Sequence, residues 1–354
     1  MGTGDTAQWI PAQADRGHIM HETEAIRISD TEIDALPLPM VIDAVTEALC
    51  ALRRGEIDNS PRSETLGREG DPDFFRLELE ATWRIDGKPR WHCRKIIEEV
   101  GTQDTFGNRA LGTRKAWIEL RDFVRNRVVT LDAEVVTNVR TGIAAVLAAK
   151  WLSPRPPRTV ALIGTGRIAG ACARAATYVF DVSELSVTSR TTQNRERFAQ
   201  HFSSELGLPI RACESLRECV RGADVVIAAV PSREPVVVSD DVCDVPQITL
   251  VGGDPRVVLA DREAFTRRRV LVDSFEQALR TGDFLRARDE GWIDDVRWTE
   301  IDGRPATLSD IALRQHISSC GEMTTCVLTG IGALDLAVAR LAWEQRIASG
   351  NVTE

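Results

Sequence analysis

The stretch from Thr159 to Gly170 reads T-V-A-L-I-G-T-G-R-I-A-G. It begins with an apolar run of strand length, continues without a spacer into a Gly-x-Gly turn, and leads into an alanine-rich segment with helical propensity. This order matches the G-x-G-x-x-A pattern of a dinucleotide-binding βαβ unit, in which Gly164 permits the tight turn and Gly166 lets the backbone approach a pyrophosphate. A glycine-rich turn in another α/β protein is the alternative. We predict dinucleotide contacts from Gly164, Thr165, Gly166, Arg167 and Ile168.

After this motif, strand-like runs alternate with helical patterns. The runs are Leu185–Thr188, Ala223–Val230, Ile248–Val251 and Val270–Val272. Such alternation predicts a parallel sheet with helices on both faces. The preceding half differs, because it shows strand patterns separated by turn residues, as in an antiparallel sheet. The predicted fold class is therefore α/β, a Rossmann-type doubly wound parallel sheet with a second α+β domain.

The first half also carries the patterns of its own elements. Strands are predicted at Ala25–Ile28, Phe74–Trp83, Trp91–Val100, Ala116–Leu120 and Val128–Leu131, and helices at Met40–Arg54, Thr137–Leu152 and Leu328–Ile347. Residues 1–24 are polar and aperiodic, so we expect a mobile leader.

Composition excludes several classes of protein. A net charge of -9 over 354 residues gives no electrostatic reason to bind nucleic acid or an anionic membrane. No apolar run approaches the roughly 18 residues of a spanning helix, and the N-terminus lacks a secretory pattern, so we expect a soluble cytoplasmic protein. The eight cysteines and five histidines show no zinc spacing, and we predict no metal.

The end of the second nucleotide-domain strand indicates which dinucleotide binds. It reads Thr188-Ser189-Arg190-Thr191, and no carboxylate follows until Glu196. A carboxylate there would favour the ribose hydroxyl of NAD, whereas arginine accommodates the extra phosphate of NADP. We therefore predict NADP(H) rather than NAD(H), held by Ser189, Arg190 and Thr191. The alternative is that Arg190 is only a solvated surface charge.

Two further strands lead into loops at the carboxyl edge of the sheet, where ligands bind in such folds. The first ends at Val230-Pro231, which we expect beside the cofactor. The second continues as Gly252-Gly253-Asp254. Asp254 is either a carboxylate of the site or a cap of the next helix, and its position alone favours neither.

Further segments resemble a known family. They are Ser60-Pro61-Arg62, Arg94-Lys95-Ile96-Ile97, V-x-x-V-R-T-G-x-A-A-x-x-A-A-K-x-L around Arg140, V-G-G-D-P at 251–255, V-D-S-F-E-Q-A-L at 272–279 and T-G-I-G-A-L-D-L at 329–336. In order and spacing, from about residue 25 to 345, the chain resembles the ornithine cyclodeaminase/mu-crystallin family.

The resemblance implies a homodimer whose active site lies in a cleft between two domains. Residues 25–137 and 322–354 would form the substrate-binding and dimerisation domain, and residues 138–321 the dinucleotide-binding domain. Arg62 and Arg140 match the arginines that hold the substrate carboxylate, Lys95 the active-site lysine and Asp254 the acidic residue that handles protons at the amine. Thr113 matches a substrate-contacting threonine.

The residue types fit these roles. Guanidinium groups form paired hydrogen bonds with carboxylates, and cations clustered around Lys95 would depress its pKa and make it a usable acid. The first functional prediction is an NADP(H)-dependent imine reductase or amino-acid dehydrogenase that transfers hydride at the α-carbon of an imine or amino acid, a small-molecule substrate. The alternatives are a cyclodeaminase with tightly held NAD, which releases ammonia, and an NADPH-dependent binding protein. Glu98, Glu99 and Asp104 replace the family's usual sequence after Lys95, which makes larger, cationic or cyclic substrates conceivable.

Overall fold

The computed structural model describes residues 26–68, 71–100, 113–314 and 322–350. The expected leader at residues 1–24 lies outside these ranges, as does Asp104. The strands are β1 Ile26–Ile28, β2 Ile57–Asn59, β3 Ser63–Arg68, β4 Asp71–Ile85, β5 Lys88–Val100, β6 Thr113–Asp122, β7 Arg127–Asp132, β8 Thr159–Ile163, β9 Glu184–Thr188, β10 Ile210–Cys213, β11 Val225–Ala228, β12 Gln247–Val251, β13 Arg269–Val272, β14 Glu300–Ile301, β15 Arg304–Pro305 and β16 Thr324–Leu328. The helices are α1 Asp30–Asp34, α2 Leu38–Arg53, α3 Glu134–Leu152, α4 Arg167–Val179, α5 Thr192–Leu206, α6 Leu216–Val220, α7 Glu263–Thr266, α8 Phe275–Ala278, α9 Gly282–Asp289, α10 Leu308–Arg314 and α11 Gly332–Ala348, with a 3-10 turn at Ile293–Asp295.

The first half forms a sheet in the order β1-β7-β6-β5-β4-β2, with β3 paired to β4. Every pairing is antiparallel except that of β1 with β7. Along β4, Leu77 and Leu79 are buried, whereas Glu78 and Glu80 are partly exposed. This alternation places an apolar face toward the protein and a charged face outward. The strands predicted in this half and the helix α2 are confirmed.

The second half forms a seven-stranded parallel sheet in the order β10-β9-β8-β11-β12-β16-β13. The predicted Rossmann-type sheet is confirmed, and the strand order reverses between β8 and β11, where such sheets open a crevice. Its strand β16 pairs with β12 and β13, so the domain boundary expected at residue 322 falls too early for this strand. The helix expected from Leu328 begins only at Gly332, because Leu328 is the last residue of β16. A short apolar run such as β16, buried on both faces of the sheet, shows no periodicity that would distinguish a strand from a helix in the sequence.

Two apolar helices join the halves. Helix α3 packs on strands β12 and β16 of the parallel sheet and on helix α4 beside it. It also packs on helices α2 and α11 of the other half. Helix α11 returns to the antiparallel sheet and packs on α2, β4 and β5. Both helices are buried on nearly all sides, as helices inside a core are. Among the helices in the described part of the chain, none combines the length and apolar character that crossing a membrane requires.

The contact between α3 and α4 depends on Gly142. A β-carbon at this position would lie 2.6 Å from Cβ of Ala171 and 2.8 Å from the backbone nitrogen of Cys172. We expect Gly142→Ala to lower the free energy of unfolding by about 1–3 kcal/mol, because backbone atoms must move to admit the methyl group. This is a net loss, which remains after the gain of about 1 kcal/mol that alanine gives over glycine in a helix. Chemical denaturation measures the change in the free energy of unfolding.

Gly170→Ala provides the matched control in a helix. The three atoms nearest to its β-carbon would all belong to the ring of Phe202, a side chain rather than backbone. A loss of stability for Gly170→Ala equal to that for Gly142→Ala would contradict the role assigned to the close helix contact.

Candidate active site

A cavity of about 610 Å³ opens where the strand order of the parallel sheet reverses. Its walls come from the residues that follow β8, β11, β12 and β16 and from the inner face of β4 and β5. The described lining includes Arg62, Phe75, Leu77, Leu79, Lys95, Ile97, Glu99, Arg114, Arg140, Ile168, Val230, Pro231, Gly253, Asp254, Arg256 and Thr329. The cavity therefore brings together all the residues predicted for catalysis and substrate binding except Thr113, with three of those predicted for the cofactor.

Lys95 and Arg140 share one buried carboxylate. Nζ of Lys95 donates to Oδ1 of Asp335 at 2.8 Å, and Nε of Arg140 donates to the same oxygen at 3.1 Å. Lys95 also donates to Oγ1 of Thr137 at 3.3 Å. The side chains of Lys95 and Asp335 are 1% and 0% exposed, so the two cations share one carboxylate away from water. Asp273 also interacts with Arg140 through its charge. Cationic groups that line the cavity beside this cluster suit an anionic ligand.

The pKa of Lys95 is lowered from 10.5 to about 8. Burial is the largest cause, and the positive charge of Arg140 acts in the same direction. The negative charge of Asp335 opposes both and raises the pKa. Lys95 therefore carries a proton at neutral pH but holds it weakly enough to exchange it.

A tight turn after β16 supports Arg140 from behind. Asp273 accepts hydrogen bonds from the backbone nitrogens of Thr329 and Gly330 at 2.9 and 2.7 Å. Gly330 has a φ of +84°, and a β-carbon there would lie 2.9 Å from Nη1 of Arg140. The glycine thus lets the guanidinium group lie directly against the turn.

Arg62 reaches the cavity from the loop between β2 and β3. It donates through Nη1 to the carbonyl of Gly253, and its Nε lies 2.6 Å from Oε1 of Glu64. Burial lowers the pKa of Arg62 below its ordinary value, yet an arginine so shifted remains charged at neutral pH. Gly253 has no side chain to keep Arg62 away from this carbonyl.

Asp254 follows Gly253 and is held by Arg256. Its Oδ1 accepts from the backbone nitrogen and Nε of Arg256 at 2.8 and 2.9 Å, and its Oδ2 accepts from Nη2 at 2.6 Å. Burial raises the pKa of Asp254, but these hydrogen bonds and the charge of Arg256 outweigh burial and hold the pKa below its ordinary value. Asp254 is therefore ionised at neutral pH.

The acidic stretch after Lys95 does not present unpaired charge to the cavity where the structure describes it. Glu98 lies on the outer face of β5 and bonds to Arg76 at 2.6 Å, whereas Glu99 lines the cavity and pairs with Arg114 at 2.9 Å. These pairings remove the reason that Glu98 and Glu99 gave for a cationic substrate. Thr113 begins β6 opposite Val100, which lines the cavity, but its side chain lies outside the described part.

The Gly-x-Gly turn is shaped to receive a phosphate group. Gly164 has a φ of +115°, and a β-carbon there would lie 2.6 Å from the carbonyl of Ala229, so the turn packs closely on the end of β11. A β-carbon at Gly166 would meet nothing within 4 Å. Gly166 caps α4 without a side-chain hydrogen bond, and the first turn carries no acid. Open space above exposed helix N–H groups fits a pyrophosphate.

The first two arginines that follow strand β9 in the chain are Arg190 and Arg195. Arg190 is exposed, and no described residue forms an ion pair with it. Arg195, on α5, is buried and donates to Oγ1 of Thr192 at 2.8 Å and to the carbonyl of Ser189 at 3.5 Å, with no carboxylate as a described partner. Thr191 caps α5. Arg190 was predicted from the sequence, but Arg195 was not, because the sequence does not show where helix α5 begins.

Four further residues of the site were not predicted from the sequence: Asp335, Asp273, Arg114 and Arg256. Asp335 lies in the apolar run L-D-L of the last helix, and an acid in such a run indicates a buried partner. The partner itself, 240 residues away, leaves no local signal. Asp273 lies in the segment at 272–279 that carries the family resemblance, but its position in the sequence does not show which groups it contacts. Arg114 and Arg256 stand in segments where charges are common, so nothing in the sequence distinguishes them.

The Lys95–Asp335–Arg140 cluster gives a stability prediction. We expect Asp335→Asn to lower the free energy of unfolding by about 3–5 kcal/mol, because two buried cations lose their shared counter-charge. Glu56→Gln, which removes the acid of an exposed pair with Arg54, should cost at most about 1 kcal/mol. Chemical denaturation of both variants tests this, and equal losses would contradict it.

The comparisons with known proteins agree with this architecture. The model of the ornithine cyclodeaminase/mu-crystallin family matches residues 26–346. The ketimine reductase mu-crystallin of Rattus norvegicus is 26% identical over 240 residues, which cover 67% of this chain and 71% of that protein.

Two solved structures share the fold. The Thermococcus litoralis Delta(1)-pyrroline-2-carboxylate reductase in complex with NADH and L-proline superposes with a TM-score of 0.78 at 23% identity, covering 92% of this chain and 98% of that chain. An archaeal alanine dehydrogenase dimer with bound NAD gives a TM-score of 0.77 at 22% identity, covering 93% and 98%. With the family model spanning nearly its whole length, the chain belongs to the ornithine cyclodeaminase/mu-crystallin family and is an NAD(P)-dependent oxidoreductase of that family.

Proposed function

We propose that the protein is an NADP(H)-dependent imine reductase or amino-acid dehydrogenase. When bound, the nicotinamide supplies or accepts a hydride at the α-carbon of the substrate. The observation that carries the proposal is the single cavity lined by Arg62, Lys95, Arg140 and Asp254, at the edge of the sheet where a nicotinamide would lie. The similarity to a ketimine reductase supports the same chemistry.

Arg62 and Arg140 bind the substrate carboxylate in this proposal. Both are buried and charged, and both line the cavity. A carboxylate placed between two guanidinium groups fixes the orientation of the α-carbon, which hydride transfer requires. Thr113 is proposed to contact the same substrate, because it stands beside the lining at the start of β6.

Lys95 acts as the acid in the reducing direction. The imine nitrogen takes a proton from the Lys95 ammonium, the α-carbon takes the hydride, and the π electrons of the C=N bond become the lone pair of the amine nitrogen. Lys95 then regains a proton from solvent. Asp254, ionised beside Arg256, stabilises the positive charge of the protonated imine. In the oxidising direction Lys95, as its neutral amine, takes the proton back from the nitrogen.

The nucleotide is proposed to be NADP(H). The residues that would hold the diphosphate are Gly164, Thr165, Gly166, Arg167 and Ile168, and Val230 and Pro231 would lie on the nicotinamide side. Ser189, Arg190 and Thr191 would hold the adenosine ribose. Arg190 has no acidic partner among the described residues, and Arg195 adds a second guanidinium group whose partners in that part of the chain are neutral oxygens. Both features favour a 2′-phosphate over a free ribose hydroxyl.

The same proposal includes a homodimer. Residues 25–137 together with α11 form the substrate-binding and dimerisation part, and the parallel sheet, now including β16, forms the nucleotide part. The archaeal alanine dehydrogenase of similar fold is a dimer, which supports a dimer for this chain.

Loss of the Lys95 acid should abolish imine reduction. We expect Lys95→Ala to lower kcat/KM by about 10²–10⁴-fold, the usual contribution of a general acid, while affinity for the nucleotide is retained. For the wild type, reduction should slow as pH rises through about 8, because the ammonium form disappears, whereas amine oxidation should quicken over the same range. Loss of NADPH absorbance with cyclic imines, or with 2-oxo acids plus amines, measures both effects.

Lys88→Ala is the matched control, since Lys88 is exposed at the start of the same strand. If Lys95→Ala turned over at the wild-type rate, Lys95 would not be the general acid and the assignment of the active site would be contradicted. Ammonia release from a basic amino acid without change in free nicotinamide would identify a cyclodeaminase instead, and nucleotide binding with neither signal would identify a binding protein.

The nucleotide preference depends on Arg190. We expect Arg190→Glu to weaken NADPH binding by about 10–100-fold, because a charged hydrogen bond to the 2′-phosphate is replaced by repulsion, while NADH binding changes little. Titration by nucleotide fluorescence measures both affinities. Arg197→Glu, at an exposed position on α5, controls for overall charge, and an equal loss there would contradict a specific phosphate site.

A further inference from the structure

The charges that line the cavity are unequal in number. Among the described residues, five lining cations face two lining acids. The cations are Arg62, Lys95, Arg114, Arg140 and Arg256, and the acids are Glu99 and Asp254. Three of the cations suffice for the carboxylate and proton steps of the proposed function. Arg114 is not used in those steps, and Arg256 acts in them only through Asp254.

Each lining acid is paired with one of these two extra arginines. Glu99 lies 2.9 Å from Nε of Arg114, and Oδ2 of Asp254 accepts a hydrogen bond from Nη2 of Arg256 at 2.6 Å. Arg114 also forms an ion pair with Glu134, so two acids share this arginine. A substrate with a cationic side chain would therefore have to displace an arginine to reach either acid. The pairings oppose an ammonium group in the side-chain part of the cavity and favour an acidic one.

Arg256 is also held against the apolar wall. Its guanidinium carbon lies 5.8 Å from the ring centroid of Phe75, and Leu77 and Ile97 cluster with that ring. A short hydrocarbon chain can pack on this wall while its far end reaches a guanidinium group.

We propose that the substrate is an α-amino or α-imino acid whose side chain ends in a second carboxylate, and that Arg256, with Arg114, binds that carboxylate. This inference rests on the proposed function and specifies its substrate class. The balanced step is oxidation of the amino diacid at its α-carbon, with the hydride passing to NADP⁺, one proton leaving the nitrogen and an imino diacid remaining. Reduction of the imino diacid by NADPH and a proton is the reverse.

Pairs of substrates that differ only in this charge test the inference. The wild-type protein with NADP⁺ is assayed with glutamate against glutamine, aspartate against asparagine, and with alanine, proline, ornithine and lysine. We expect kcat/KM for at least one diacid to exceed that for its amide by tenfold or more. Equal rates for diacid and amide, or a preference for ornithine or lysine, would overturn the inference and leave the hydride-transfer proposal intact. No turnover with any of these compounds, nor with the imines tested above, would sink the proposed function itself.

Variants of Arg256 then test whether this residue binds the second carboxylate. Arg256→Met should reduce the ratio of diacid to amide to about 1–3, mainly through KM, since one charged hydrogen bond is worth about tenfold or more. Because both members of a pair need the same proton transfer, the ratio is insensitive to any effect of Arg256 on Asp254. Arg256→Lys should retain part of the ratio, and Arg262→Met, which removes an exposed arginine paired with Asp295, should leave it unchanged. A full ratio in Arg256→Met would contradict the assignment.

Discussion

The site depends on the two hydrogen bonds that the carboxylate of Asp335 accepts. They join Lys95 of β5 and Arg140 of α3 to the last helix, so they connect three segments far apart in the chain. Burying these charges separately would cost several kcal/mol each, and only their mutual contact offsets that cost. The return of α11 to the antiparallel sheet is therefore a requirement of the site as well as of the core.

Close backbone approach is the second constraint, and glycine provides it on both sides of the cavity. Gly164 brings the phosphate turn against β11, Gly253 lets Arg62 reach a carbonyl of the parallel sheet, and Gly330 admits the guanidinium group of Arg140. One of these contacts, that of Arg62 with Gly253, connects a residue of one half with the backbone of the other. The cavity between the halves thus has its dimensions set by positions where no side chain fits.

Local patterns predicted much of this fold. The strand, Gly-x-Gly turn and helix around Gly166 were recognisable because their signals lie within a dozen residues, and α3 was recognisable from its continuous apolar character. The place of β16 between β12 and β13 was not predictable, because pairing with strands distant in the sequence leaves no periodic mark. The same reason hid Asp335, whose importance arises only when α11 packs on β5.

The adjacent acids Glu98 and Glu99 show why composition misleads about the charge of a site. Successive side chains of a strand point to opposite faces, so Glu98 joins Arg76 on the outer face while only Glu99 reaches the cavity. There it meets Arg114, which the antiparallel register of β5 and β6 places directly opposite. A stretch that reads as acidic therefore contributes little free negative charge to the cavity, and the electrostatics of the site follow from strand register rather than from the number of acids nearby.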